Sequence, residues 1–431
     1  MTFSIPLVWR GGRQAGVVTL IAASIATGAT ADSPPLEGWP IGRGGQNSQV
    51  RTLELHDAEA DSVVVHAAIS LPEMSDHYRA RAEILADVLS QGSEAYPRIT
   101  VRRMTGALGS PLRGFTTPGT LHLRAEVPVD AWDNALMVLA DALRKPLLED
   151  AAIRASIEAR TLVEPTEWSK ALVGRRYDWA SVQPREIREL AQAILRPERT
   201  LLVVAGAHEP RSAAARVAAR FAGWTAGPVR RWTFDSVQRT WFPQGRYVDL
   251  LGRPFDPRNE WPVACVAALA LGGGKDSTMF RVVRERHAWS YRQEAFLQME
   301  GNRWRLRSVV QQAPGTEGPD AEALRQALLL DVAAWDESTL KRALAMARLA
   351  AWGRVPSPLQ LGSSGRADMA SLVGRALLAA LWFENTGELW SADEFADRCA
   401  KVKLDEVKRW TEAQLKESSG RIYGATGSPA R

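Results

Sequence analysis

The chain reads as an α+β protein of two homologous domains, each a mostly antiparallel sheet with helices packed on one face. Three observations predict this. Segments of strand-like alternation and segments of helical period follow one another in the order strand-helix-helix-strand-helix-helix. That order occurs twice, and a stretch containing Gly227, Pro228 and Pro243 separates the two occurrences. With 431 residues and 45% hydrophobic content, the chain has the apolar surface that two or three cores need.

Taken in order, residues 1–31 read as a secretory signal. Arg10 and Arg13 precede the apolar run 15–26, and Ala29-Thr30-Ala31 is a small-x-small cleavage site before Asp32. The run is short and diluted by Thr, Ser and Gly, which disfavours a membrane anchor. Export, cleavage after Ala31 and no stable membrane insertion are expected. Residues 32–50, rich in Pro, Gly and Ser, form a flexible leader.

The first domain, 51–228, starts with a β-branched strand at 62–70, a helix at 78–90, the breaker Gln91-Gly92-Ser93 and a helix around 98–105. A strand at 121–127, helices at 131–143 and 149–162, the apolar strand 200–206 and a helix at 211–221 complete it. Residues 229–245 are the linker. The second domain, 246–431, repeats the series: a strand at 247–252, a helix at 261–271, a breaker at 272–274 and a helix at 277–287. A strand at 304–311 and helices at 320–334 and 337–351 follow.

Charge and composition exclude several functions. The net charge of +5 and pI near 9.3 come from Arg spread along the chain, without a basic run or basic-aromatic stripe, so no nucleic-acid partner is expected. Two cysteines, Cys265 and Cys399, rule out a disulfide framework and a Cys-rich zinc module, and their separation leaves open whether they pair. The run Gly272-Gly273-Gly274-Lys275-Asp276 lacks the upstream Gly and the Ser/Thr of a phosphate loop. Neither a G-x-S-x-G elbow nor an S-x-x-K pair is present, and Gly362-Ser363-Ser364-Gly365 reads as a loop and N-cap.

The most informative block is LGGGKDSTMFRVVRERHAWSY, residues 271–291: a Gly-rich turn opening an amphipathic helix, then an aromatic stretch, with Arg284 and Tyr291 seven residues apart. It resembles the start of the C-terminal domain in the pitrilysin/insulinase (inverzincin) family of zinc metallopeptidases. RTLLVVAGAHEP at 199–210 resembles that family's closing strand and turn, and the duplication extends the resemblance over residues of about 55–420. The resemblance implies that Gly272, Gly273 and Gly274 form a substrate-binding loop and that Arg284 and Tyr291 are catalytic, contacting the substrate. A guanidinium and a phenol can both donate hydrogen bonds to the oxyanion formed when water attacks a peptide carbonyl. Arg286 is the alternative should the register slip by two.

The first half departs from the family. Peptide-cutting members carry H-x-x-E-H on the helix before the first breaker, two His binding zinc and the Glu acting as general base. Alignment on Gly92 puts Glu83, Ala86 and Asp87 at those positions, and the further carboxylate ligand falls near Ser156, with Glu158 close by. Two carboxylates at helical spacing are far more often a solvated face than a metal site. None of the six His forms a pair at i, i+4.

Oxyanion donors kept and metal motif lost correspond, in this family, to a division of labour between two subunits. The resemblance implies a non-zinc subunit of an exported, periplasmic heterodimeric metallopeptidase. No metal or cofactor is expected in this chain. Zinc would lie in a homologous, motif-bearing partner, and the substrate would be an extended peptide. The alternative is a catalytically inert scaffold or peptide-binding protein of the same fold.

Overall fold

The computed structural model describes residues 6–11, 14–19, 50–71, 76–97, 99–101, 103, 111–117, 119–162, 175–225, 239–241, 246–300, 303–312, 318–351, 371–386, 388 and 392–423. The expected cleavage point after Ala31 and the Gly362–Gly365 loop lie outside them. The chain divides into two compact units, one of residues 1–162, 179–237 and 371–381, the other of residues 163–178, 238–370 and 382–431. Near the N-terminus, β1 (Pro6–Gly11) and β2 (Gln14–Thr19) pair antiparallel.

The first unit is built on a five-stranded sheet. Its strands are β3 (Arg51–His56), β4 (Ser62–Ser70), β5 (Arg113–Thr117), β6 (Thr120–Pro128) and, after β7 (Arg175–Tyr177) of the second unit, β8 (Thr200–Gly206). The order is β3-β8-β4-β6-β5, antiparallel throughout except for the parallel pair β3 and β8. Every residue of β8 is buried, and so is every residue of β4 after Ser62, so the most apolar and β-branched runs take the centre of the sheet.

Against this sheet pack α1 (Asp76–Leu89), α2 (Trp132–Arg144) and, later in the chain, α5 (Ala213–Arg220), while α3 (Asp150–Leu162) and α4 (Pro184–Ile194) pack on α1. Local chemistry sets their starts. Pro184 sits at the first position of α4, behind a capping box in which Gln183 and Glu186 exchange side-chain and backbone bonds. The buried Glu54 carboxylate accepts from the backbone N–H groups of Arg211 and Ala214 and so caps α5. Gly114 of β5 lies against α1 so closely that a Cβ there would stand 1.8 Å from the Ala86 carbonyl oxygen. Glycine is what lets the edge strand and α1 meet.

In the second unit, β9 (Arg239–Trp241) pairs with β7. The main sheet contains β10 (Tyr247–Leu251), β11 (Arg292–Glu300), β12 (Arg303–Gln311) and β13 (Ser419–Tyr423), in the order β11-β12-β10-β13 and antiparallel throughout. Its helices are α6 (Pro257–Gly272), α7 (Ala321–Ala333) and α8 (Glu337–Ala351), then α10 (Ala392–Ala400) and α11 (Leu404–Lys416); the intervening α9 (Leu372–Thr386) belongs to the first unit up to Leu381. Asp256 caps α6 by accepting from the Arg258 N–H with Pro257 behind it, and Asp320 caps α7 by accepting from the Ala323 N–H.

The duplication is explicit in the topology. In both units the first core strand is flanked on one side by the second strand of a hairpin, whose first strand is an edge (β5 or β11). On its other side lies the closing strand, β8 or β13. The helix between core strand and hairpin is α1 in one unit and α6 in the other. The α+β class and the two mostly antiparallel sheets are thus as the sequence predicts. The expected single helix over 277–287 is different: after one turn, residues Phe280–Arg286 form a π-helix.

Candidate functional site

In the second unit, α6 ends at the Gly-rich breaker. The Gly273 N–H donates to the Leu269 carbonyl at 2.8 Å, and Gly274 has φ +85°, a left-handed conformation that glycine adopts without strain. Gly272 lies against β11, where a Cβ would stand 2.5 Å from the Ala295 backbone nitrogen. The breaker therefore fixes α6 to the edge strand that Tyr291 immediately precedes. The expected loop Gly272, Gly273 and Gly274 and the Arg284/Tyr291 pair are parts of one connected segment.

Ser277 caps the next turn: its Oγ donates to the Gly274 carbonyl at 2.8 Å and accepts from the Phe280 N–H at 3.3 Å. The π-helix of residues 280–286 then carries three arginines. Arg281 reaches Asp331 Oδ2 at 2.6 Å, and Arg286 reaches Asp331 Oδ1 at 3.2 Å. Arg284 is exposed, and its guanidinium carbon lies 5.0 Å from the ring centre of Phe280 and 5.0 Å from that of Tyr291. Both contacts are within cation–π range. Tyr291 is 79% exposed. The structure thus brings Arg284 and Tyr291 together, and it engages Arg286, the alternative, with a buried carboxylate.

The turn ends under strain. Ala288 has φ +51°, and the flanking His287 and Trp289 rings stack at 4.1 Å with planes 10° apart. Ser290 Oγ then donates to the Gln311 carbonyl and accepts from the Arg292 N–H at 2.8 Å, setting the start of β11. A π segment joined to a left-handed alanine is the kind of locally costly backbone that the surrounding structure must hold in place.

In the first unit, α1 and α3 bring Glu83, Asp87 and Ser156 together, and what unites them is Arg160. Its Nε donates to Asp87 Oδ2 at 2.5 Å, one terminal nitrogen to Glu83 Oε2 at 2.8 Å and the other to the Glu83 carbonyl at 3.1 Å. Ser156 Oγ donates to the same Asp87 oxygen at 3.1 Å, and the guanidinium lies 5.2 Å from the Trp179 ring centre. Burial pulls the Arg160 pKa down, but Glu83 and Asp87 outweigh it and raise the pKa above its ordinary value. Ala86 is fully buried, with its carbonyl under Gly114, and Glu158 is exposed.

These residues do not fit a zinc ion. Both carboxylates are committed to a guanidinium, the base position is a buried methyl, and imidazole is absent from the set. Among the described residues, no group of three or more His, Cys, Asp or Glu is placed to hold a metal ion. Arg160 was not visible as a partner because it is 73 residues from Asp87. Its one local signal is its place four residues after Ser156, on the same helical face.

Strand register also joins two histidines that sequence spacing kept apart. His66 Nε2 lies 2.9 Å from His122 Nδ1, whose other nitrogen lies 2.7 Å from Thr117 Oγ1, and Phe115 stacks on His122 at 4.7 Å. Burial, and after it the Arg124 charge, lowers the His66 pKa to about 3. Burial, then His66 and Arg124, lowers that of His122 well below its ordinary value. Both are neutral rings of the core.

At the level of sequence, no family model and no curated protein matches the chain. Solved structures do match. A protease from Helicobacter pylori superposes with TM-score 0.68 at 9% identity, over 88% of this chain and 97% of that one. A peptidase M16 inactive domain from Pseudomonas fluorescens gives TM-score 0.64 at 14% identity, over 90% and 98%. The periplasmic protease PqqL from Escherichia coli gives 0.58 at 12%, over 87% of this chain and 46% of that one. At such identities the likeness establishes the fold, which is pitrilysin-like. No helix among the described residues is long and apolar enough to cross a membrane.

Proposed function

We propose that this chain is the non-zinc subunit of an exported, periplasmic heterodimeric metallopeptidase, supplying Arg284 and Tyr291 to the zinc site of a homologous partner. The observation that carries the reading is the contrast between the two units. One presents an exposed guanidinium against an exposed phenol on an anchored turn, and the other has an arginine where its relatives in fold would need a metal. A guanidinium and a phenol so placed can donate to the oxyanion of a tetrahedral intermediate, and they need no metal of their own to do so. The strands β5 and β11 stand at the edges of their sheets, where an extended peptide could add as a further strand, a mode of capture that tolerates varied sequence.

A second reading, a peptide-binding scaffold that assists no cleavage, is favoured by the closed carboxylate cluster alone. It gives no role to the Arg284/Tyr291 pair. Purification from the native host decides between them: the first reading expects a stoichiometric homologous partner and peptidase activity abolished by chelator. A chain recovered alone, or in complexes without peptidase activity, would favour the scaffold.

A further inference from the structure

We infer that Asp331 is the positioning residue for Arg284, acting by selecting the π-turn that carries it; this rests on the function proposed above. Arg281 and Arg286 are five residues apart. On an α-helix, at 3.6 residues per turn, they would point about 140° apart, beyond the reach of one carboxylate. A π-turn bonds residue i to residue i+5, so it brings the two onto one face. The His287 N–H donates to the Val282 carbonyl at 3.2 Å in this way. Asp331 then holds both guanidinium groups, one on each oxygen.

The carboxylate is itself fixed. Asp331 is 5% exposed on α7, and Thr278, fully buried, donates to its Oδ2 at 2.8 Å. The Trp335 indole N–H donates to the same Thr278 oxygen at 2.8 Å. Asp331 is thus a buried anion compensated by two arginines and a hydroxyl, a set that loses much of its stability when one member goes.

The consequence falls on the third arginine. With Arg281 and Arg286 both held by Asp331, Arg284 is left to the aromatic pair Phe280 and Tyr291, which flank it. Were residues 280–286 α-helical, Arg286 would leave Asp331 and the direction of Arg284 relative to Tyr291 would change. The side chains that Asp331 bonds are Arg281, Arg286 and Thr278 rather than Arg284, and its influence on Arg284 runs through the backbone of the turn.

Asp331→Asn keeps the side-chain shape and removes the charge. In the purified chain, phenylglyoxal modification resolved by mass spectrometry should be about threefold or more faster at Arg281 and Arg286 in Asp331→Asn than in wild type; unchanged rates at both would overturn the assignment. In the complex with the zinc-bearing partner, Asp331→Asn should lower kcat for peptide hydrolysis roughly 10- to 100-fold with little change in KM, as expected for a displaced catalytic group. In an Arg284→Ala background it should lower kcat no further. A loss that is additive with Arg284→Ala would overturn the positioning role, because a merely structural residue acts with or without Arg284. If Arg284→Ala itself is silent, it is the function proposed above that fails. Where Asp331→Asn does not fold, Thr278→Val, which removes the hydroxyl holding the carboxylate, carries the same three arms.

Discussion

Replacing Arg160 by Met should destabilise the first unit more than removing its whole charged cluster. In the wild type one guanidinium serves Glu83 and Asp87 at 2.8 and 2.5 Å, and the Glu83 side chain is only 7% exposed. Arg160→Met strips both carboxylates of this partner, leaving Glu83 with Arg79 at 3.6 Å and Asp87 with Ser156 at 3.1 Å. Breaking a buried pair costs about 3–5 kcal/mol. Arg160 is 24% and Asp87 33% exposed, so solvent screens part of this, and the lower end, about 3 kcal/mol, applies. Arg160→Met/Glu83→Gln/Asp87→Asn removes the three charges together, takes from Arg79 only its 3.6 Å contact with Glu83, and should lie within about 1 kcal/mol of wild type. Hydrogen-exchange mass spectrometry of segments 76–89 and 150–162 reads the opening of α1 and α3 in the full chain, without assuming that the two units unfold together. The single variant should open roughly a hundredfold more often and the triple variant nearly as rarely as wild type. A triple variant as unstable as the single one, or a single variant with wild-type protection, would refute the idea that Arg160 neutralises the cluster.

Four further outcomes follow. Dialysed protein should contain no stoichiometric zinc by elemental analysis, and one zinc per chain, lost on changing Glu83 and Asp87, would contradict this. The buried His66 and His122 have lowered folded pKa values, that of His66 about 3, so below the ordinary value of 6.5 the unfolded state binds more protons; their stability contribution is complete above pH 6.5 and declines as pH falls below it. Stability should therefore be lower at pH 5.5 than at pH 7.5, and denaturant titrations showing equal stability at the two would refute the assignment. Ala288→Gly should raise stability by about 1 kcal/mol because φ +51° penalises a Cβ, whereas Gly114→Ala should cost about 3 kcal/mol because its Cβ meets the Ala86 backbone at 1.8 Å. Thermal denaturation of the two variants checks both signs.

The central strands and most helices were legible because burial dictates their composition. Thr200–Gly206 is apolar at nearly every position, and Trp132–Arg144 and Asp150–Leu162 keep a helical period. The edge and short strands were not. Arg113–Thr117 contains the glycine that lets α1 approach, and Ser419–Tyr423 is five residues with one strongly apolar side chain, Ile422. In the site, the spacing of Arg284 and Tyr291 was enough to place them in one segment. The π-turn was not legible, because FRVVRER fits an α-helix equally well and the choice depends on Asp331, 45 residues beyond Arg286. Arg160 and the His66–His122 contact were hidden for the same reason: each exists only once distant segments are packed.

The central claim is that Arg284 and Tyr291 serve a partner's zinc site, and peptide turnover by the reconstituted complex tests it most directly. Arg284→Ala and Tyr291→Phe should each assemble normally and lower turnover by about 10²- to 10³-fold, the cost of removing one oxyanion donor, with the loss mainly in kcat. The double variant should be little worse than the poorer single one if the pair acts as a unit. Complexes that assemble and still cleave peptide at the wild-type rate with both residues changed would contradict the account.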